Sequence, residues 1–254
     1  MSPLLSALLI IFIIQLLFFI FAALKRTDKV TDLAYGATFA FVAILALVSN
    51  PYFDIWRFVL AAIVSIWGIR LSGYLFYRVS VIKRDKRFDG IRENPVKFGL
   101  FWLLQTVSIW LILSPTIIVL SQQVAFNFNL LTIIGGFVAI SGIIVESIAD
   151  MQKFNFKLKQ PEKWADTGLW RYSRHPNYFG EILMWLGVFI YCVPYLAGVS
   201  YFSIISPLFI TVLLLFVSGV PTIERKYDQK FAGNTDYQRY KQSTSLIIPW
   251  FKRL

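Results

Sequence analysis

Seven apolar runs long enough to cross a bilayer recur along the chain, and nearly all of its charge falls in the segments between them. No other feature limits the fold as much. Inside lipid a helix satisfies its own backbone, whereas irregular loops and open sheet edges cannot. The runs cover residues 4–24, 33–48, 56–76, 98–120, 130–149, 176–193 and 201–220. A bilayer needs roughly 17–25 residues, and the second and sixth runs sit at the short end. The first run has no basic stretch before it and exceeds a signal-peptide core, so it is expected as a first span. Pro115 predicts a kink in the fourth.

Loop charge orients the spans. Lys25, Arg26 and Lys29 lie between spans one and two, and Arg78, Lys83, Arg84, Lys86, Arg87, Arg92 and Lys97 between three and four. Lys153, Lys157, Lys159, Lys163, Arg171 and Arg174 lie between five and six, and the rest follow span seven. Of the 25 Lys and Arg only Arg57 and Arg70 fall elsewhere, at the start of span three and within it. Residues 50–55, 121–129 and 194–200, the opposite loops, carry none. The pattern predicts an all-α integral membrane fold with the N-terminus outside and the C-terminus cytoplasmic. The net charge of +11 is therefore a topology signal, and no nucleic-acid partner is expected. A single Cys and a single His exclude a disulfide framework and a multi-His or cysteine-based metal site, and no metal is expected. No GxGxxG, P-loop, GxSxG or HExxH occurs, so any dinucleotide is not held by a Rossmann domain.

One stretch stands apart from the hydropathy pattern: Trp170-Arg-Tyr-Ser-Arg-His-Pro-Asn-Tyr-Phe-Gly-Glu181. Pro176 suits the first turn of a helix, where its missing N–H costs nothing. A helix entering the membrane from Pro176 would leave Arg171, Arg174 and His175 just outside its start. Free N–H groups, the positive end of the dipole and two arginines make an anion site there. The alternative is a basic collar touching lipid headgroups. A collar needs cations, but not His, Asn, Tyr, Gly and Glu in close order.

Polar residues at membrane depth mark further candidates. Arg70, Tyr74 and Arg78 follow at i, i+4 and i+8, so one face of span three either lines a polar cavity or bonds a neighbouring helix, for instance through Glu146. Glu146 and Asp150 share a face at the C-terminal end of span five, against the dipole, and require cationic or hydrogen-bonding partners. Asp32 either belongs to the site or caps span two. Gln105 is expected as interhelical glue. In the tail, Glu224, Tyr227 and Phe231 share a helix face, 236–241 forms an amphipathic turn, and 246–251 returns to the interface. Such a tail either closes a cytoplasm-facing site or merely anchors.

These residues resemble a known family. Asp150-x-Gln152-Lys153-x-x-Phe156, Gly168 through Glu181, Glu224-Arg-Lys-Tyr227 and Tyr237…Tyr240-Lys…Ile248-Pro249 are similar to the steroid 5-alpha-reductase family, in its short branch. Trp67-x-x-Arg70-Leu-x-x-Tyr74-Leu-x-x-Arg78 extends the likeness forward; the first two spans carry little of it. The resemblance implies a seven-span reductase holding NADPH in a membrane cavity open to the cytosol and reducing a carbon–carbon double bond conjugated to a carbonyl. It implies that Asp150 meets the nucleotide, that Asn177 with Gly180-Glu181 is the family's Asn-x-x-Gly-Glu, and that Tyr227 is its cofactor-contacting tyrosine. The family's tail histidine falls at Ile223, and its acid pair near the ketone has no clear match. Arg174-His-Pro-Asn-Tyr178 also occurs in sterol C14-type reductases. A shorter form occurs in isoprenylcysteine and phospholipid methyltransferases, which use S-adenosylmethionine.

The expectation is thus a single polytopic domain over 1–254, with spans one to five in 1–149 and the cofactor loop, last two spans and tail in 150–254. It is a multi-pass membrane reductase with a hydrophobic small-molecule substrate among membrane lipids. NADPH would be bound by Asp150, Lys153, Arg171, Arg174, His175, Asn177, Tyr178, Glu181, Glu224 and Tyr227, with its phosphates against Arg171, Arg174 and His175. Tyr74, backed by Tyr178 and Tyr35, would polarise the substrate carbonyl, with Glu146 beside the reacting ring. A methyltransferase using S-adenosylmethionine and a non-catalytic lipid or sterol binder are the alternatives.

Overall fold

Lipid-facing helices are apolar on their outer faces and bury small or polar residues where they meet. The structure, a computed structural model, describes residues 1–82, 88 and 90–251, and it follows this rule. Among the described residues it contains nine α-helices and no strand. These are α1 (Pro3–Lys25), α2 (Thr31–Val48), α3 (Ile55–Ile82), α4 (Pro95–Leu120), α5 (Leu130–Lys159), α6 (Pro176–Cys192), α7 (Ile205–Val212), α8 (Val220–Lys230) and α9 (Thr235–Ser243). Seven segments are long and apolar enough to cross a membrane, as expected, and the chain is a multi-pass membrane protein. Lys83, Arg84, Lys86 and Arg87 of the basic loop lie outside the described residues.

Several boundaries differ from the sequence expectation. Helices α3 and α5 continue well past their apolar runs, to Ile82 and Lys159. Hydropathy marks where lipid ends, whereas helical hydrogen bonding continues into water. Pro115 lies inside α4, which continues on both sides of it. Asp32 is not a cap, because the residue before α2 is Val30 and makes no side-chain cap bond. Asp32 instead lies 3.6 Å from Arg78.

The chain forms two compact units, Met1–Gly136 with Val188–Ser206, and Phe137–Gly187 with Pro207–Leu254. In the first, α2 and α3 touch backbone to backbone. A Cβ on Gly36 or on Gly68 would come within 2.5 Å of the other's carbonyl oxygen. Gln105 is the expected glue. Its amide donates to Gln15 Oε1 at 2.8 Å, and Gln15 donates to Thr38 Oγ1 at 2.8 Å, tying α1, α2 and α4 together. Arg57, fully buried, pairs with Asp54, donates to the carbonyls of Gln122 and Val124 at 2.6 Å, and lies 3.8 Å from the centre of the Phe126 ring. A charge so placed is stabilised only by this full set of partners.

In the second unit, α5 and α6 cross at glycines. A Cβ on Gly180 would lie 2.5 Å from the Glu146 nitrogen, and one on Gly142 would lie 2.6 Å from the Gly180 carbonyl. The seventh span is broken. After α7 it widens into a π-turn at Leu213–Val217 and restarts at α8, where Pro221 occupies the first turn. Gly219 at the break has no room for a Cβ, hemmed by Leu214 and the Tyr178 ring. The break sets the direction in which Glu224 and Tyr227 leave the span.

Candidate functional site

The site grows from the loop that precedes α6. Gly168, at φ +60°, begins a short 3₁₀ turn, Gly168–Arg171. A side chain there would collide with Gln152, whose Oε1 accepts from Leu169 N at 2.8 Å. The turn buries Trp170, whose indole donates to Ala149 O at 2.9 Å, and the Lys153 ammonium sits 4.4 Å from the Trp170 ring centre. Ser173, wholly buried, then accepts from His175 N at 3.1 Å and donates to Ile247 O at 2.6 Å.

The tail crosses this loop as a strap. Ser173 and Ser245 form a β-bridge, Arg174 N donates to Ser245 O at 2.8 Å, and Trp250 N donates to Tyr172 O at 3.2 Å. Helix α9 is packed through Tyr237 and Tyr240, both buried with Phe231 against Trp164 and Tyr227. The Tyr240 hydroxyl donates to Trp170 O at 2.8 Å. Burial pushes both tyrosine hydroxyls well above their ordinary pKa, so they act as neutral donors. The tail expected at the interface thus packs across the loop before α6, with Ile248, Trp250 and Phe251 exposed along it.

Under the strap, α6 and α8 bring their polar residues together. Glu224 pairs with Arg174, accepts from His175 Nε2 at 2.9 Å, and lies 3.7 Å from Lys241, which Asp228 holds at 2.6 Å. The Tyr178 ring stacks parallel to His175 at 5.4 Å. A cavity lined by Lys153, Trp170, Arg174, His175, Glu224 and Tyr227 with the tail aromatics opens here, offering about 10 Å³ to water, room for a single molecule. The buried Arg174 Nε, His175 Nδ1 and Trp164 Nε1 have no hydrogen-bond partner among the described residues. Burial, with Lys153 and Arg174 nearby, holds the His175 pKa below its ordinary value, against the opposing pull of Glu224.

Of the residues singled out from sequence, the structure gathers Lys153, Arg174, His175, Glu224 and Tyr227 around one cavity. Tyr178 joins them through the His175 ring. Glu146 and Asp150 are buried on α5, with Glu146 beneath the α6 glycine, and Asn177 and Glu181 are half-buried on α6. Arg171 is exposed on the 3₁₀ turn. Tyr74 belongs to the first unit, half-buried on α3, as does Tyr35, whose ring meets Phe39 edge-on at 5.0 Å. Sequence reasoning missed Trp164, and it quoted Tyr237, Tyr240 and Lys241 for the resemblance without placing them at the site. Their spacing on one short helix gives a shared face but no partner.

No curated protein and no solved structure gives a significant match to the chain. Residues 18–244 match the family described as "Protein of unknown function (DUF1295)", a range that takes in every residue lining the cavity and ends just before the strap contacts at Ser245–Trp250. This multi-pass membrane protein belongs to the DUF1295 family.

Proposed function

We propose that the chain is a membrane-embedded, NADPH-dependent reductase of a carbon–carbon double bond conjugated to a carbonyl in a hydrophobic steroid or lipid. The observation that carries the reading is the small cavity before the start of α6, where Lys153, Arg174 and His175 meet beside aromatic walls. The resemblance of 150–181 and of the tail to the 5-alpha-reductase family supports it. The residues fit such a cofactor: Arg174 keeps a buried Nε–H without a partner among the described residues, and Lys153 lines the same cavity. The free space is far smaller than a dinucleotide, so the strap over Arg174 opens for binding. NADPH, when bound, would supply a hydride to the beta carbon of the conjugated system, and a proton from the medium adds at the alpha carbon to complete the saturated product. Arg174 and Lys153 hold phosphate oxygens, Asp150, Asn177 and Glu181 orient the rest of the nucleotide, and the walls exclude water. Tyr74 donates its hydroxyl proton as a hydrogen bond to the carbonyl oxygen, where negative charge develops in the transition state. Glu146 stands beside the reacting groups.

A second reading has one observation in its favour. Glu224 neutralises Arg174, and Asp228 with Glu224 neutralises Lys241, so the cavity is less cationic than the sequence suggests. S-adenosylmethionine carries no phosphate and suits a less cationic pocket. Membranes incubated with an enone or enoyl substrate and NADPH deuterated at C4 should place deuterium on the beta carbon. Methyl transfer from labelled S-adenosylmethionine, without deuterium incorporation, would decide for the methyltransferase. Tyr74→Phe should leave NADPH binding intact and slow reduction by about 10²-fold or more. Unchanged turnover would assign the donor to another residue.

A further inference from the structure

Glu224 accepts from His175 Nε2 at 2.9 Å. A carboxylate is an acceptor only, so the ring proton sits on Nε2. The other ring nitrogen, Nδ1, is buried and has no partner among the described residues, on a side chain 1% exposed. The groups facing the ring are Glu224 from α8, Lys153 from α5, the adjacent Arg174, and Tyr178 stacked from α6. Burial, joined by the two cations, outweighs the pull of Glu224 and holds the ring below its ordinary pKa, so the folded ring stays neutral at pH 7. A neutral ring protonated on Nε2 presents a bare lone pair at Nδ1. Asn177, two residues on, likewise carries a buried amide oxygen with no partner among the described residues.

We infer that His175 Nδ1 is a hydrogen-bond acceptor for an O–H or N–H group of the bound nucleotide, and is not a cationic phosphate ligand. The inference rests on the nucleotide-binding reading of the site and reassigns one of its residues. Phosphate oxygens at neutral pH offer only acceptors and cannot satisfy a lone pair. The groups that can are a ribose hydroxyl, a carboxamide N–H or an adenine amine. Arg174, with its unpartnered Nε–H, keeps the phosphate role. The short loop thus splits its duties, with the arginine donating to the anion and the histidine accepting from the neutral part of the same ligand.

The chain has one histidine, so ¹⁵N-histidine labelling reports this ring alone. In the full-length protein in lipid at pH 7.5, one ring nitrogen should be protonated and the other not. Saturating NADPH should shift the non-protonated signal upfield and leave the protonated one in place. 2′-Phospho-ADP-ribose, which lacks the nicotinamide, should reproduce the shift if the donor is an adenine or ribose group and not if it is the carboxamide; either result supports the inference. If only S-adenosylmethionine produces the shift, the acceptor role stands and the reductase reading fails. A ring protonated on both nitrogens, or a non-protonated signal that no probe moves, would overturn the inference. His175→Gln keeps a donor towards Glu224 and removes the Nδ1 acceptor. It should weaken NADPH about tenfold with little change in thermal stability. A phosphate-binding imidazolium would instead make NADH bind more tightly as pH falls from 7.5 to 6, and that result too would exclude the proposal.

Discussion

Arg174 and His175 are neighbours in sequence with opposite electrostatic tasks, and Glu224 separates them. The carboxylate takes the ends of both side chains and leaves Arg174 Nε and His175 Nδ1 buried without partners among the described residues. A charge-assisted contact from Arg174 to phosphate contributes about 1.5–3 kcal/mol, or roughly ten- to a hundred-fold in affinity. Arg174→Ala should therefore weaken NADPH binding by that factor. A larger loss for NADPH than for NADH would place the guanidinium at the extra phosphate, and equal losses at the pyrophosphate. Loss for neither would reduce Arg174 to a headgroup contact. His175 also couples the site to pH. Its folded pKa lies below the ordinary 6.5, so between the two values the unfolded chain binds a proton that the folded chain lacks. Stability from this residue is complete above about pH 6.5 and declines as pH falls through that window. Thermal melts at pH 5.5 and 7.5 should show a gap in wild type that shrinks in His175→Gln.

Among the elements, α6 is positioned by what it lacks. Gly180 lets its backbone meet α5 beside Glu146, and that contact carries Asn177 and Glu181 on the neighbouring turns. Gly180→Ala would force the helices apart at a cost of about 1–3 kcal/mol. Gly73 provides the contrast on α3, because a Cβ there meets nothing within 4 Å. Gly73→Ala should be neutral or stabilise by about 0.5–1 kcal/mol through helix propensity. In one detergent Gly180→Ala should melt earlier than wild type and Gly73→Ala no earlier. If Gly180→Ala melts as late as wild type, the crossing is looser than described. The broken seventh span works similarly. The π-turn, Gly219 and Pro221 mark the break from which α8 restarts, and Glu224 on its first turns meets His175 of the loop before α6.

Across the whole molecule, topology is a property of charge. Cysteines placed at Ser121 and Gly198 should react with a membrane-impermeant reagent from outside. Cysteines at Lys159 and Asn234 should react only after the inner face is opened. The native Cys192 is fully buried and should stay silent, its thiol shielded within the fold. Labelling of Lys159 from outside would invert the orientation and put the site on the other face of the membrane.

Seven spans were legible, though not the ends of α3 and α5, because lipid imposes a length and a polarity on each segment separately, without reference to any partner. Gln105 as glue, and Arg174, His175 and Glu224 as polar groups that must find partners, were legible for a related reason: polar groups beside the membrane need partners, whatever they are. The partners themselves were not. Nothing local in the sequence says that Ser173 pairs with Ser245, that Tyr240 reaches the Trp170 carbonyl, or that Asp32 meets Arg78 rather than capping α2. Those contacts join residues 46 to 72 positions apart, and chain geometry alone allows many others as good. The sequence by itself determined which residues had to leave the lipid. Only the tertiary structure decided which nitrogen of the single histidine would be left buried without a partner among the described residues, because that follows from where α8 delivers one carboxylate.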